Sequence, residues 1–281
     1  MVKGFRRSAV LVLMWVAVAW LAPGPSAWAA PKAELWRYWQ VHDPASRIQV
    51  DHRPWQRFLD RFVVRGARGI NLMRYAAVDR SGKQALRQYI AALARVPVRR
   101  LNRESQRAYW INLYNALTID VVLAHLPVAS IRDIDISPGW FSRGPWGAKL
   151  VIVEGKRVSL DEIEHRILRP IWRDARLHYA LNCASMGCPE ISDRAFTPAN
   201  AEALLNRAAR RFVNHPRAVR FEGGRLLVSS LYHWYGEDFG PNEAGILIHI
   251  RGFAAPGLAR GLEGRKSFAD AGYDWSLNAA P

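Results

Sequence analysis

Cysteine is nearly absent from this 281-residue chain, which has only Cys183 and Cys188. Their spacing matches no standard zinc pattern, and thiolate zinc sites suit an oxidising compartment poorly, so neither a metal nor a cofactor is expected. Lysine is sparse as well, although basic residues outnumber acidic ones 40 to 24. The chain has no repeat with a period of about 20–50 residues and no low-complexity segment. It also lacks an apolar run of the ~20 residues that a membrane span requires. The nearest approach is the uncharged stretch from Ala9 to Ala22.

That stretch follows Lys3, Arg6 and Arg7 and is broken by Pro23, Gly24 and Pro25. Ala27-Trp28-Ala29 comes next. Basic, then apolar, then small-x-small is the order of a secretory signal peptide. Export is therefore expected, to the periplasm or the exterior, with residues 1–29 removed and 30–281 forming the mature protein. No transmembrane helix is expected in that mature chain. The removed segment carries three basic residues and no acid, so the formal charge falls from +16 to +13. Such a surface would attract an anionic envelope polymer or a membrane face. The charges are scattered, however, and read as a solvated arginine-rich surface, while export argues against a nucleic-acid partner.

The chemistry gathers in His178-Tyr-Ala-Leu-Asn-Cys-Ala-Ser-Met-Gly-Cys-Pro189. Leu177–Leu181 is apolar enough for a short buried strand, and Gly187 and Pro189 end it. The strand would deliver His178, Asn182 and Cys183 to a loop, where sites commonly lie. Upstream, the spacing predicts helical structure over 33–60 and at Leu86–Leu93, with a loop at 65–69. The strongest helix spans about 103–126, with Asn102 as N-cap and Pro127 beyond its end. It is apolar nearly all round, as a central buried helix is. Asn112 and Asn115 share one of its faces, and buried amides need partners. These are either a neighbouring backbone or the site itself.

A Gly-, Pro- and Trp-rich loop at 131–148 carries Trp140 and Trp146 and has the length of a lid or binding loop. A hairpin turning at Glu154-Gly155 follows it. Ser159 and Glu162 form a capping box that opens a helix ending before Pro170. On that helix Asp161 can reach His165, four residues on. A further helix begins at Thr197-Pro198, and a second hairpin turns at Gly223-Gly224. Leu231–Phe239 reads as a short aromatic helix closed by Gly240, followed by a helix at about 243–253. The tail Tyr273-Asp-Trp-Ser-Leu-Asn278 pairs polar with aromatic residues, which suggests docking. The elements add up to one α+β domain, with several helices around a small sheet built from hairpins and one central strand.

Two readings of the cysteines follow. In one, Cys183 is a nucleophile with His178 or His165 as its base, and Glu164 or Asn182 orients the imidazole. The reaction would be amide or ester hydrolysis or acyl transfer. In the other, Cys183 and Cys188 form a structural disulfide in a non-catalytic envelope domain, with loop 138–147 as its contact surface.

Tyr109-Trp-Ile-Asn-Leu-Tyr-Asn-Ala-Leu117, Leu160-Asp-Glu-Ile-Glu-His-Arg-Ile-Leu-Arg-Pro170, the cysteine stretch and the closing Tyr-Asp-Trp-Ser-Leu-Asn together resemble the DUF547 family over roughly residues 50–278. The resemblance implies an exported bacterial member of a family with no assigned reaction. It marks Asn112, Asn115, Glu164, His165, His178, Asn182 and Cys183 as matching the family pattern.

Overall fold

The computed structural model describes residues 31–139 and 144–281. The expected leader and Trp140 lie outside the described residues. Helix α1 (Arg53–Phe62) is followed by a small hairpin of β1 (Val63–Arg65) and β2 (Asn71–Met73), then α2 (Arg80–Ala94) and α3 (Arg103–His125). Asp79 caps α2 through Gly82 N–H, and Asn102 caps α3 through Ser105 N–H. Residues 33–60 do not form one helix. Trp36 and Trp39 flank and occupy a single 3₁₀ turn, Arg37–Gln40, and the α-helix begins only at Arg53. The aromatic density there reflects packing on α3, where the Trp39 ring lies 5.0 Å from that of Trp110.

Helix α3 is the axis of the main core and is buried on all sides from Ser105 to Ile119. The hairpin β3 (Val151–Val153) and β4 (Lys156–Val158) turns at Glu154 and Gly155, both at positive φ, as a tight two-residue turn requires. Ser159 and Glu162 then exchange the expected capping-box bonds. The helix they open is a π-helical run, Glu162–Leu168, that continues into α4 (Arg169–Trp172). It therefore passes through Pro170 instead of ending before it. Proline has no N–H to offer the preceding turn. The carbonyls of His165 and Arg166 accept instead from Glu34 N–H at 3.0 Å and Trp36 N–H at 2.9 Å. The segment just after the expected leader thus satisfies the backbone of the irregular helix.

Helix α5 (Ala201–Val213) starts a few residues after Thr197-Pro198. Strands β5 (Val219–Glu222) and β6 (Arg225–Val228) form the second hairpin, and β7 (Ala269–Asp270) joins β6 in parallel. The stretch expected as one aromatic helix is two single turns, α6 (Leu231–Trp234) and α7 (Gly236–Phe239). Next come α8 (Glu243–Phe253) and α9 (Pro256–Gly261). Helices α5 and α8 pack with the β5–β6 hairpin around a second core.

The class is α+β. The sheet differs from expectation, because the strands form three separate small sheets among the described residues. The central strand at 177–181 is absent. Ala175–Tyr179 is a 3₁₀ helix capped by Asp174. Leu177, Ala180 and Leu181 pack into the first core and Tyr179 into the second, and an apolar stretch this short does not distinguish a strand from a helical turn.

Candidate active site

Asn112 and Asn115 show how the central helix fixes what surrounds it. Asn112 donates to Phe196 O at 2.7 Å and accepts Phe196 N–H at 3.0 Å. Asn115 donates to Ala180 O at 2.9 Å and accepts Asn182 N–H at 2.8 Å. Each amide imitates a strand edge for a passing backbone. Neither lines the cleft described below. Asn115 instead anchors the chain just before Cys183.

From that anchor the loop turns sharply. Ala184 has φ +57°, a left-handed conformation that costs a non-glycine residue about 1–2 kcal/mol. Asn182 sustains it by accepting Ala184 N–H at 3.0 Å while donating to Pro189 O at 3.2 Å. Asn182 is thus committed to the loop backbone and orients no imidazole. The C-terminal tail closes over the loop. Met186 and Gly187 N–H donate to Ser276 and Asp274 carbonyls, and Asn278 N–H donates to Ala184 O. A Cβ on Gly187 would stand 2.8 Å from Asp274 N, so only glycine allows this approach.

The tail brings Tyr273 onto the sulfur. Tyr273 Oη lies 3.0 Å and Ser185 Oγ 3.3 Å from Cys183 Sγ. Cys188 Sγ accepts the Cys183 N–H at 3.0 Å. The expected disulfide is not present: both cysteines are free and not at disulfide distance. The turn at Ala184 sets Cys188 beneath the Cys183 amide, where its sulfur faces the N–H and the Leu181 carbonyl. Burial pushes the Cys183 thiol up. Hydrogen bonds from Cys188, Ser185 and Tyr273 outweigh that, and its pKa falls below the ordinary thiol value. Burial pushes Cys188 up, and the neighbouring Cys183 sulfur adds to the shift. Of the two, Cys183 is the thiol poised to ionise.

Cys183 opens into a cleft of about 290 Å³. Trp146, Trp234, Tyr235, Tyr273 and Trp275 give it aromatic walls, and Arg132 also lines it. The acidic side comes from the π-helical run, which carries Glu164 and His165 into the cleft, and from Asp161 just before it; π segments often mark functional sites. Glu164 accepts from Tyr114 Oη at 3.1 Å, and its other oxygen faces His178 Nδ1 at 3.5 Å. The second nitrogen of His178 lies 2.6 Å from Asp238, which also accepts from Arg169 Nε at 2.5 Å.

Both nitrogens of His178 therefore face carboxylates, leaving none for Cys183. Burial would lower the His178 pKa, but the hydrogen bonds to Asp238 and Glu164 raise it above the ordinary value, so the two carboxylates favour the charged ring. Burial pushes Glu164 up, while the adjacent His165 and His178 rings and Arg169 pull it down to about 2. Of the two imidazoles, His178 is the one that favours charge, because burial lowers the His165 pKa. His165 Nδ1 accepts from Arg169 at 3.1 Å, and Nε2 stands 3.7 Å from Asp161. Among the described residues, no group of three or more His, Cys, Asp or Glu is placed to hold a metal.

Residues 98–213 match the model of a family described as "Protein of unknown function, DUF547". This match supports the assignment of the segment to the DUF547 family. No curated protein and no solved structure matches. The matched span is narrower than the 50–278 expected. The DUF547 segment contributes both cysteines, Glu164, His165, His178, Trp146 and Asp161. The aromatic pair Trp234–Tyr235, Tyr273 and Trp275 lie beyond it and complete the cleft, and Asp238, also beyond it, holds His178 from outside the cleft. Sequence reasoning marked the tail for docking but missed Asp238, Tyr273 and Trp275 as site residues. The Tyr-x-Trp pattern of the tail was the available signal for the last two. Asp238 stands 60 residues from His178, and nothing local marks it.

Proposed function

We propose that this DUF547 protein is an exported, cysteine-dependent hydrolase or acyl transferase acting on an amide or ester in the cell envelope. Cys183 is the nucleophile. The observation that carries this reading is the sulfur itself: half-buried at the edge of an aromatic cleft, bonded by two hydroxyls, and followed by a strained left-handed alanine. Strain of this kind is concentrated at functional sites. Aromatic walls with a few convergent polar groups are the usual make-up of a small-ligand site.

The roles of the two histidines differ from the expected base. His178 acts as a fixed cation that keeps Glu164 ionised, and Tyr273 and Ser185 stabilise the thiolate directly. Thiolate formation then needs no imidazole partner, since hydrogen bonds to the charged form lower a pKa by themselves. The tail becomes part of the active site, and Trp146 and Trp275 become substrate walls.

The test is alkylation of reduced protein recovered from an envelope fraction, whose intact mass should begin at Ala30. Cys183 should react with iodoacetamide with an apparent pKa below the ordinary ~8.5. Cys183→Ala should abolish the fast phase, and Cys188→Ser should slow it without removing it. An ordinary pKa at Cys183, or equal rates at both sulfurs, would overturn the proposal.

A further inference from the structure

Asp161 is an anomaly among the charges in and around the cleft. Glu164 and Asp238 have cationic partners in His178 and Arg169. Glu162, one residue along the chain, has Lys149 at 2.5 Å. The nearest cation-forming group to Asp161 is the His165 ring, at 3.7 Å, which burial keeps neutral. Asp161 thus lacks the close cation that its neighbours have, in the same cleft as Cys183: burial and the Glu164 and Glu162 charges raise its pKa to about 6, and Lys149, paired with Glu162, offsets this only in part. Its side chain is 41% exposed and makes no helix-capping bond. It does no evident structural work. Its backbone N–H donates to Trp146 O, which places it beside the aromatic wall.

A carboxylate next to aromatic faces is complementary to an organic ammonium group. The charge pairs with the carboxylate, and the CH₂ groups and the cation's outer surface lie against the rings. A neutral or anionic acceptor would leave Asp161 unmatched. From this arrangement we infer that the acyl acceptor of this site is a primary amine, received by Asp161. The inference rests on the acyl-transfer reading of Cys183.

The step balances as follows. The ammonium gives one proton to Asp161, and the freed amine attacks the carbonyl carbon of the Cys183 thioester. The C–N bond forms and the C–S bond breaks, its electron pair leaving on sulfur. The second nitrogen proton goes to that sulfur, restoring the thiol. Asp161 returns its proton to solvent. The product is a new amide, and water serves only when no amine is bound.

Two measurements on the reduced full chain test this. In the first, n-hexylamine is titrated against iodoacetamide alkylation of Cys183, with n-hexanol as the uncharged control. Hexylamine should protect saturably and hexanol should not. Asp161→Asn and Asp161→Ala should each weaken protection about tenfold, the scale of a lost hydrogen bond to a charged group. Equal protection by hexanol, or protection unchanged in both variants, overturns the inference. In the second, Cys183 is acetylated with p-nitrophenyl acetate and the product is identified. N-hexylacetamide should replace acetate as hexylamine saturates, and less so in the Asp161 variants. Acetate alone at saturating amine overturns the amine acceptor and leaves thiol acylation standing. Failure of Cys183 to acetylate at all overturns the acyl reading, and the transfer inference with it.

Discussion

A single amide on α3 decides where the sulfur sits. Asn115 fills the hydrogen-bonding needs of Ala180 and Asn182 on either side of the turn that leads to Cys183. Asn115→Leu would leave a buried carbonyl and a buried N–H without partners, at about 1–3 kcal/mol. Chemical denaturation should show a loss of at least about 1 kcal/mol, and an unchanged midpoint would contradict the assigned bonds. That these amides needed partners was legible from the sequence, since a helix apolar on every side cannot leave them in water. Which backbone they served was not legible, because Phe196 and Ala180 lie 84 and 65 residues away. The candidates divide in the same manner. Cys183, His178, Glu164 and His165 do converge on one cleft, whereas Asn112, Asn115 and Asn182 build its supports. Residue type alone cannot separate a group that bonds substrate from one that bonds its own main chain.

At the scale of elements, caps and turns were legible and helix register was not. Asp79, Asn102 and the Ser159–Glu162 box announce helix starts through bonds within three residues. The π register of Glu162–Leu168 depends on Glu34 and Trp36 reaching across from the N-terminal segment, which no local pattern encodes. The tail is the other long-range element. Its bonds to Ala129, Ala184, Met186, Gly187 and Met73 hold Tyr273 on Cys183. Gly187→Ala should therefore disturb the sulfur without touching it, since the added methyl meets Asp274 N and the Tyr273 ring. We expect the Cys183 alkylation pKa to rise toward the ordinary thiol value, read from rate against pH. A pKa that stays low in Gly187→Ala would mean that the tail does not set it.

For the whole molecule, the buried charges define a pH window. Glu164 and Asp238 are each held down to about 2 against burial, by imidazole and guanidinium neighbours and, for Asp238, by hydrogen bonds from His178 and Arg169. Their stabilisation is present above the ordinary carboxylate values of about 4 and is lost as pH falls toward 2. His178 is shifted upward, so its contribution is present below about 6.5 and is lost as pH rises through its folded value. Stability should then peak between about pH 4.5 and 6.5. Glu164→Gln should lower that peak by about 3 kcal/mol, the scale of a broken buried pair, and make the acid limb shallower. Thermal midpoints measured from pH 2 to 9 would show this, and an acid limb of unchanged steepness would exclude Glu164 as its source.

The lacing of the tail also sets an order of events during biosynthesis. Tyr273 lies 90 residues beyond the sulfur it contacts. A nascent chain that has emerged only as far as the cysteine loop has the thiol but neither the hydroxyl that activates it nor the strand partners that hold Met186 and Gly187. Its cysteine titrates as an ordinary one and is a poor nucleophile at neutral pH. Reactivity is thereby withheld until the tail has emerged, so an incomplete copy is chemically quiet.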